Sequence, residues 1–133
     1  TAAAIVKALD MPELEPVVCY QSRVGPLQWI GPSTDAEIRR AGADGRGVIA
    51  APIAFVSEHS ETLVELDIEY RKLAVEAGVT DYRRAATAGV HPDFIAGLAG
   101  LVRASLDGKT VTCGLENGGG RICPPIHKRC GYT

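Results

Sequence analysis

Residues 47–70 read GVIAAPIAFVSEHSETLVELDIEY. The first seven, 47–53, are a near-continuous apolar run, which fits a strand of a parallel sheet covered on both faces. The period then changes. Leu63, Leu66, Ile68, Tyr70 and Leu73 supply the packing side of a helix predicted over 60–77, and Gly78 fits the position just past its end. A strand that feeds a long helix through a short loop is the opening of a crossover, and it predicts an α/β layered domain.

The neighbouring segments extend that pattern. Ala2–Leu9 reads as the end of a helix, stopped before Met11-Pro12. Residues 16–21 (PVVCYQ) read as a short buried strand. Thr34-Asp35-Ala36-Glu37 is a capping box, and Ile38 begins the apolar face of a helix stopping at Gly42. Residues 82–86 (YRRAA) are a third, weaker strand. His91-Pro92-Asp93 opens another helix, with His91 as cap and Pro92 at the first position. It runs through Phe94, Leu98, Leu101 and Val102 to Leu106 and ends at Gly108. The order α-β-α-β-α-β-α predicts parallel strands with helices between them. In open α/β sheets, ligands bind beyond the carboxyl ends of the strands. Three loops leave those ends: 22–32, 54–60 and 87–91. The first two are expected side by side.

At 133 residues the chain is one domain at most. A domain of this size buries roughly two-thirds of its unfolded surface. Apolar residues are 46% and charged residues 23%, with a net charge of −2, so nothing suggests a nucleic-acid footprint. No apolar run approaches the ~20 residues that span a bilayer. The chain opens on Thr1 inside a helical pattern, with no charged and then apolar leader. That reads as a fragment of something longer without a signal peptide. Four cysteines without secretion signals point to a reducing compartment, the cytoplasm, where thiols serve metals or catalysis rather than disulfides.

Chemistry concentrates in the two loops and the helix after them. Glu61, Glu65 and Glu69 stand at i, i+4 and i+8. On an α-helix each step turns by only ~40°, so the acids form one stripe about 12 Å long. His59 lies at its upper end. Hard oxygen ligands beside an imidazole fit a path for a divalent ion, while a solvated acidic face has the same spacing. His59 can exchange a proton near neutral pH, or serve as a simple cap. The first loop, QSRVGPLQWIGP (21–32), carries Trp29 between Leu27, Gln28 and Ile30. It suits the wall of a pocket for a flat apolar ligand, with Arg23 beside it for a carboxylate, and equally a plug packed on its own domain. In the tail, Cys113, Cys123 and Cys130 follow C-x9-C-x6-C, with His127 between the last two. Zinc, an iron–sulfur cluster and free thiols all fit that composition, but the spacing is not that of a zinc finger. Cys19 reads as a small core residue.

QSRVGPLQWIGPSTDAEI (21–38) followed by PIAFVSEHSETLVELDIEYR (52–71) resembles the C-terminal half of ferrochelatases, in the animal and α-proteobacterial branch. The likeness covers residues 1–108; 109–133 is a separate Cys-rich tail. It implies a three-layer, doubly wound parallel sheet of chelatase type, the second of two similar domains around a porphyrin cleft. It implies protoporphyrin IX and ferrous iron as partners, with Fe(II) as substrate. By the same resemblance His59 and Glu61 are catalytic, and Ser22, Arg23, Leu27, Gln28, Trp29, Ile30 and Phe55 face the porphyrin. Glu65 and Glu69 continue the metal path. Some members hold a two-iron two-sulfur cluster through three tail cysteines and one upstream cysteine, which points to Cys113, Cys123 and Cys130. Peripheral attachment to the inner membrane is a further family property, and a homodimer is a further expectation for the chain.

The chain departs from that family in two ways. The principal catalytic histidine of ferrochelatases sits in a segment like SAHSLP, and neither His59, His91 nor His127 has that context. The tail spacing is wider than in animal members. The chain is therefore expected to hold half of a porphyrin site and to be inactive alone. Two other readings remain: a short chelatase that completes its site by homodimerisation, and a non-catalytic metal- or porphyrin-binding module.

Overall fold

The computed structural model describes residues 1–22, 25–26, 28–107 and 126. The chain forms two compact units, Thr1–Gly89 and Val90–Thr133. In the first, helix α1 (Ala2–Leu9) and helix α2 (Thr34–Ala43) precede strand β1 (Val48–Ala50). A π-helix, Glu61–Glu69, runs into α3 (Tyr70–Glu76), and strand β2 (Tyr82–Arg84) follows. β1 and β2 pair in parallel, Val48 opposite Tyr82 and Ala50 opposite Arg84. A parallel pair needs a crossover, and the helix between them supplies it. The second unit carries α4 (Pro92–Leu106), started by Pro92 and by His91, whose Nδ1 accepts the Asp93 N–H at 3.4 Å.

The core of the first unit lies where α2, α3 and β2 meet. Ile38, Ala74 and Tyr82 are buried together, with Val48, Ala50, Tyr70, Leu73 and Val79 packed against them. Gly42 lets the two helices touch. A Cβ built there would lie 2.0 Å from the Ala77 carbonyl oxygen, so only a glycine fits this crossing. α3 ends where the sequence says. Gly78 takes a φ of +80°, the Val79 N–H donates to the Ala74 carbonyl at 2.9 Å, and the Gly78 N–H to Val75 at 3.1 Å. That pair of bonds is a Schellman termination.

Four sequence expectations are corrected. Residues 16–21 do not form a strand. Among the described residues no strand lies alongside them; Tyr20 makes one isolated parallel bridge to Ser33, and Val17 and Val18 are exposed. The N-cap of α2 is Ser33 rather than Thr34, which is buried and donates its hydroxyl to Cys19 Sγ at 3.5 Å. The predicted α-helix over 60–77 is wound with i→i+5 bonds in its first nine residues, Glu61–Glu69. The wider turn rotates the packing face, so Leu66 is buried while Leu63 and Ile68 are exposed. The strands are also shorter than their apolar runs, three residues each.

The Gly42 contact gives the first prediction. Gly42→Ala should lower the stability of the first unit by about 1–3 kcal/mol, as overpacking typically does. Gly97→Ala, at an α4 position with nothing within 4 Å of a new Cβ, should be neutral or stabilising by up to about 1 kcal/mol. Urea unfolding of the two variants measures both.

Candidate active site

Thr62 has no exposure to water. Its hydroxyl donates to the His59 carbonyl and accepts the His59 N–H, both at 2.9 Å. The loop after β1 is thereby folded onto the first turn of the π-helix. The Glu61 N–H in turn donates to His59 Nδ1 at 3.1 Å. An accepting Nδ1 carries no proton, so the neutral imidazole bears its hydrogen on Nε2. The edge-on Phe55 ring, centroid 4.4 Å from that of His59, braces the imidazole.

The acid row meets the first loop at Glu65. Its Oε2 accepts from Ser22 Oγ at 2.7 Å and Gln21 Nε2 at 3.1 Å. Its Oε1 accepts from Tyr70 Oη at 3.0 Å and the Ser22 N–H at 3.3 Å. Four donors fill the four lone-pair directions of one carboxylate. Gln21 also donates to the Glu61 carbonyl at 3.2 Å, and its own carbonyl accepts Trp29 Nε1 at 3.2 Å. The loop is thus pinned to the helix, and a cavity of about 700 Å³ opens between them. Trp29, Gln28, Ile30, Ser22, Glu65 and Tyr70 are among its lining residues. Burial, then the hydrogen bond to Glu65, pushes the Tyr70 hydroxyl well above the usual phenol range.

Of the residues singled out from sequence, Ser22, Gln28, Trp29, Ile30 and Glu65 share this cavity. Phe55, His59 and Glu61 stand at the start of the same helix, and Glu69 is exposed at its end. Arg23, Leu27, Cys113, Cys123, His127 and Cys130 lie outside the described residues. Among the described residues, no three His, Cys, Asp or Glu side chains gather to hold a metal. None of Glu61, Glu65 and Glu69 is ion-paired there either. Gln21, Thr62 and Tyr70 went unnoticed as site residues. Tyr70 stands five positions after Glu65, the step of one i→i+5 bond, and reads as a packing residue on an α-helical period.

A second carboxylate cluster flanks His59. Glu58 accepts the Thr87 N–H at 2.9 Å and Arg84 Nη1 at 3.0 Å. The Thr87 amide first, and the Arg84 guanidinium after it, hold its carboxyl down at about 2 instead of 4.5. Arg84 likewise holds Asp67 below the usual carboxylate range. A carboxyl lowered by folding stabilises fully above its ordinary value, and the contribution is lost as pH falls towards the folded one. Part of the acid unfolding of this chain should therefore fall between pH 4.5 and 2. Glu58→Gln should lower stability at pH 7 and flatten that limb; thermal midpoints across the range measure it.

The Ferrochelatase family model matches residues 1–106. The chain is 61% identical over 106 residues to the ferrochelatase of Caulobacter vibrioides, covering 80% of this chain and 30% of that protein. It is 52% identical over 130 residues to the ferrochelatase of Phenylobacterium zucineum, covering 97% of this chain and 36% of that protein. Against the ferrochelatase of Rickettsia bellii it is 41% identical over 131 residues, covering 98% and 37%. The chain spans between 30% and 37% of the length of these relatives. The loop and helix that enclose the cavity both fall within the family match, and the chain belongs to the ferrochelatase family.

Proposed function

We propose that this chain is the C-terminal part of a ferrochelatase that inserts Fe(II) into protoporphyrin IX to form protohaem. The observation that carries the reading is the cavity in which Trp29 and Glu65 meet, on a helix that His59 caps. The parallel pair with its helical crossover is the piece of a three-layer, doubly wound sheet that this chain contributes, with 1–108 as the chelatase-type region and 109–133 as its tail.

The chemistry asks for three things: two pyrrole protons removed, water stripped from the ion, and the macrocycle held with its nitrogen lone pairs accessible. Trp29, Gln28 and Ile30 supply a flat apolar wall for the ring. Glu61 is the base for the pyrrole protons. His59 presents Nε2–H, a donor, because Nδ1 is spent on the Glu61 amide. It therefore orients and hydrogen-bonds rather than abstracting a proton through its outer nitrogen. Glu69, and Glu65 once it gives up one of its four hydrogen bonds, exchange water for carboxylate oxygen as the ion passes. Cys113, Cys123 and Cys130 are candidate thiolates for a two-iron two-sulfur cluster completed from outside this chain, and no step here depends on it.

Purified alone, the chain should insert neither iron nor zinc into porphyrin, since the SAHSLP-type histidine is not in it. Measurable metalloporphyrin formation by the isolated chain, followed at the Soret band, refutes this half. In a full-length protein bearing this segment, Glu61→Gln should lower kcat by about 10²–10⁴-fold, the usual worth of a general base. Turnover near that of the parent refutes the assignment. Trp29 is the only tryptophan of the chain, so porphyrin binding by the chain should quench its fluorescence.

A further inference from the structure

Arg84, the last residue of β2, closes a three-point clamp. Its Nε donates to Asp67 Oδ1 and its Nη2 to Asp67 Oδ2, both at 2.8 Å. Its Nη1 reaches Glu58 Oε1 at 3.0 Å. The side chain is only 11% exposed. Asp67 sits on the π-helix two residues after Glu65, and Glu58 directly precedes His59. The same Glu58 oxygen takes the Thr87 N–H, and the Gly89 N–H donates to the Val56 carbonyl at 2.6 Å. The turn carrying His59 is therefore fastened on one side to the exit of β2 and on the other, through Thr62, to the helix.

We propose that Arg84 is a positioning residue for metal insertion: by joining Glu58 to Asp67 it fixes the His59 imidazole against the first turn of the acid helix. The proposal rests on the reading of His59 as the group that orients and of Glu61 as the base. Arg84 touches neither, so it acts through the loop. A planar guanidinium that grips one carboxylate with two parallel bonds sets an angle as well as a distance. A lysine keeps the charge and loses the angle. Misplacement by about 1 Å can cost on the order of 10²-fold in rate. No other cation pairs with either carboxylate among the described side chains, although Arg71 donates to the Asp67 backbone carbonyl.

The test uses a full-length protein bearing this segment, with Arg84→Met, Arg84→Lys and Glu58→Gln. Steady-state insertion is measured alongside the imidazole nitrogen resonances of His59. Arg84→Met should lower kcat by about tenfold or more with KM for porphyrin within about twofold. It should also turn the single Nε2–H tautomer of His59 into a mixture. Arg84→Lys should recover part of kcat and part of the tautomer signal. Glu58→Gln, which keeps an oxygen for both donors, should move both readouts less and in the same direction. If Arg84→Met fails to fold, Glu58→Gln decides. Parental kcat and an unchanged His59 spectrum in the folded variants overturn the proposal. If the parent itself inserts no metal, the ferrochelatase reading of this segment fails. The His59 spectra then still decide whether Arg84 fixes the imidazole.

Discussion

Thr62 carries a hydroxyl sealed from water, and burying such a group without a partner costs a few kcal/mol, roughly 1–3 in proteins. It is satisfied by the backbone N–H and C=O of one residue, His59. Those two bonds fold the chain back at the point where β1's loop becomes helix. With the His59 backbone fixed, the ring nitrogen reaches the Glu61 amide, one of the donors a helix start leaves orphaned. Glu58 is turned the opposite way, towards Thr87 and Arg84. The winding that begins here is π rather than α, and it brings Tyr70 under Glu65. Tyr82 then ties this helix to the sheet: its buried hydroxyl donates to the Leu66 carbonyl at 2.9 Å, and burial pushes its pKa up to about 12.

Glu65 shows how the first loop acquires a shape without regular structure. Loop backbones must place their polar groups somewhere. Here Ser22 sits at a φ of +58°, a conformation uncommon for a side-chain-bearing residue. There it offers both its N–H and its hydroxyl to one carboxylate. Gln21 spends its amide on the same acid and its carbonyl on Trp29. The indole is therefore held to the acid helix through one intermediate residue. A change at Glu65 reaches the cavity wall as well as the acid row.

The parts written in local chemistry were legible in the sequence. α1 matches its predicted Ala2–Leu9, α4 begins on His91-Pro92 as read, and Gly78 closes α3. What depended on a neighbour was not. Val17 and Val18 look like strand residues, yet a strand exists only beside another, and Tyr20 finds a single bridge. The π winding was hidden because apolar residues at 63, 66, 70 and 73 satisfy an α-helical period. Glu58, Asp67 and Arg84 give no local signal in the sequence, because their union requires β1, β2 and the helix to be assembled first. The acid row and Trp29 stood out by spacing and rarity, and the structure sets Glu65 and Trp29 at one cavity.

The acids of this helix fall into unlike electrostatic settings. Asp67, with Glu58 beside it, is matched by the Arg84 guanidinium, which cancels charge at close range. Among the described residues Glu65 is held by neutral donors alone, and neutral donors fix a carboxylate without cancelling its charge. Glu61 and Glu69 have no cation partner among the described residues. Like charges at such spacing cost a helix a few tenths of a kcal/mol per pair, about 0.2–0.5. A lysine or arginine at i+4 relieves that repulsion on a helix surface. This helix instead places its basic partner on the Asp67 side, and the row at 61, 65 and 69 has no ion pair among the described residues. Under the proposed function, a row of that kind would draw a divalent cation along its length.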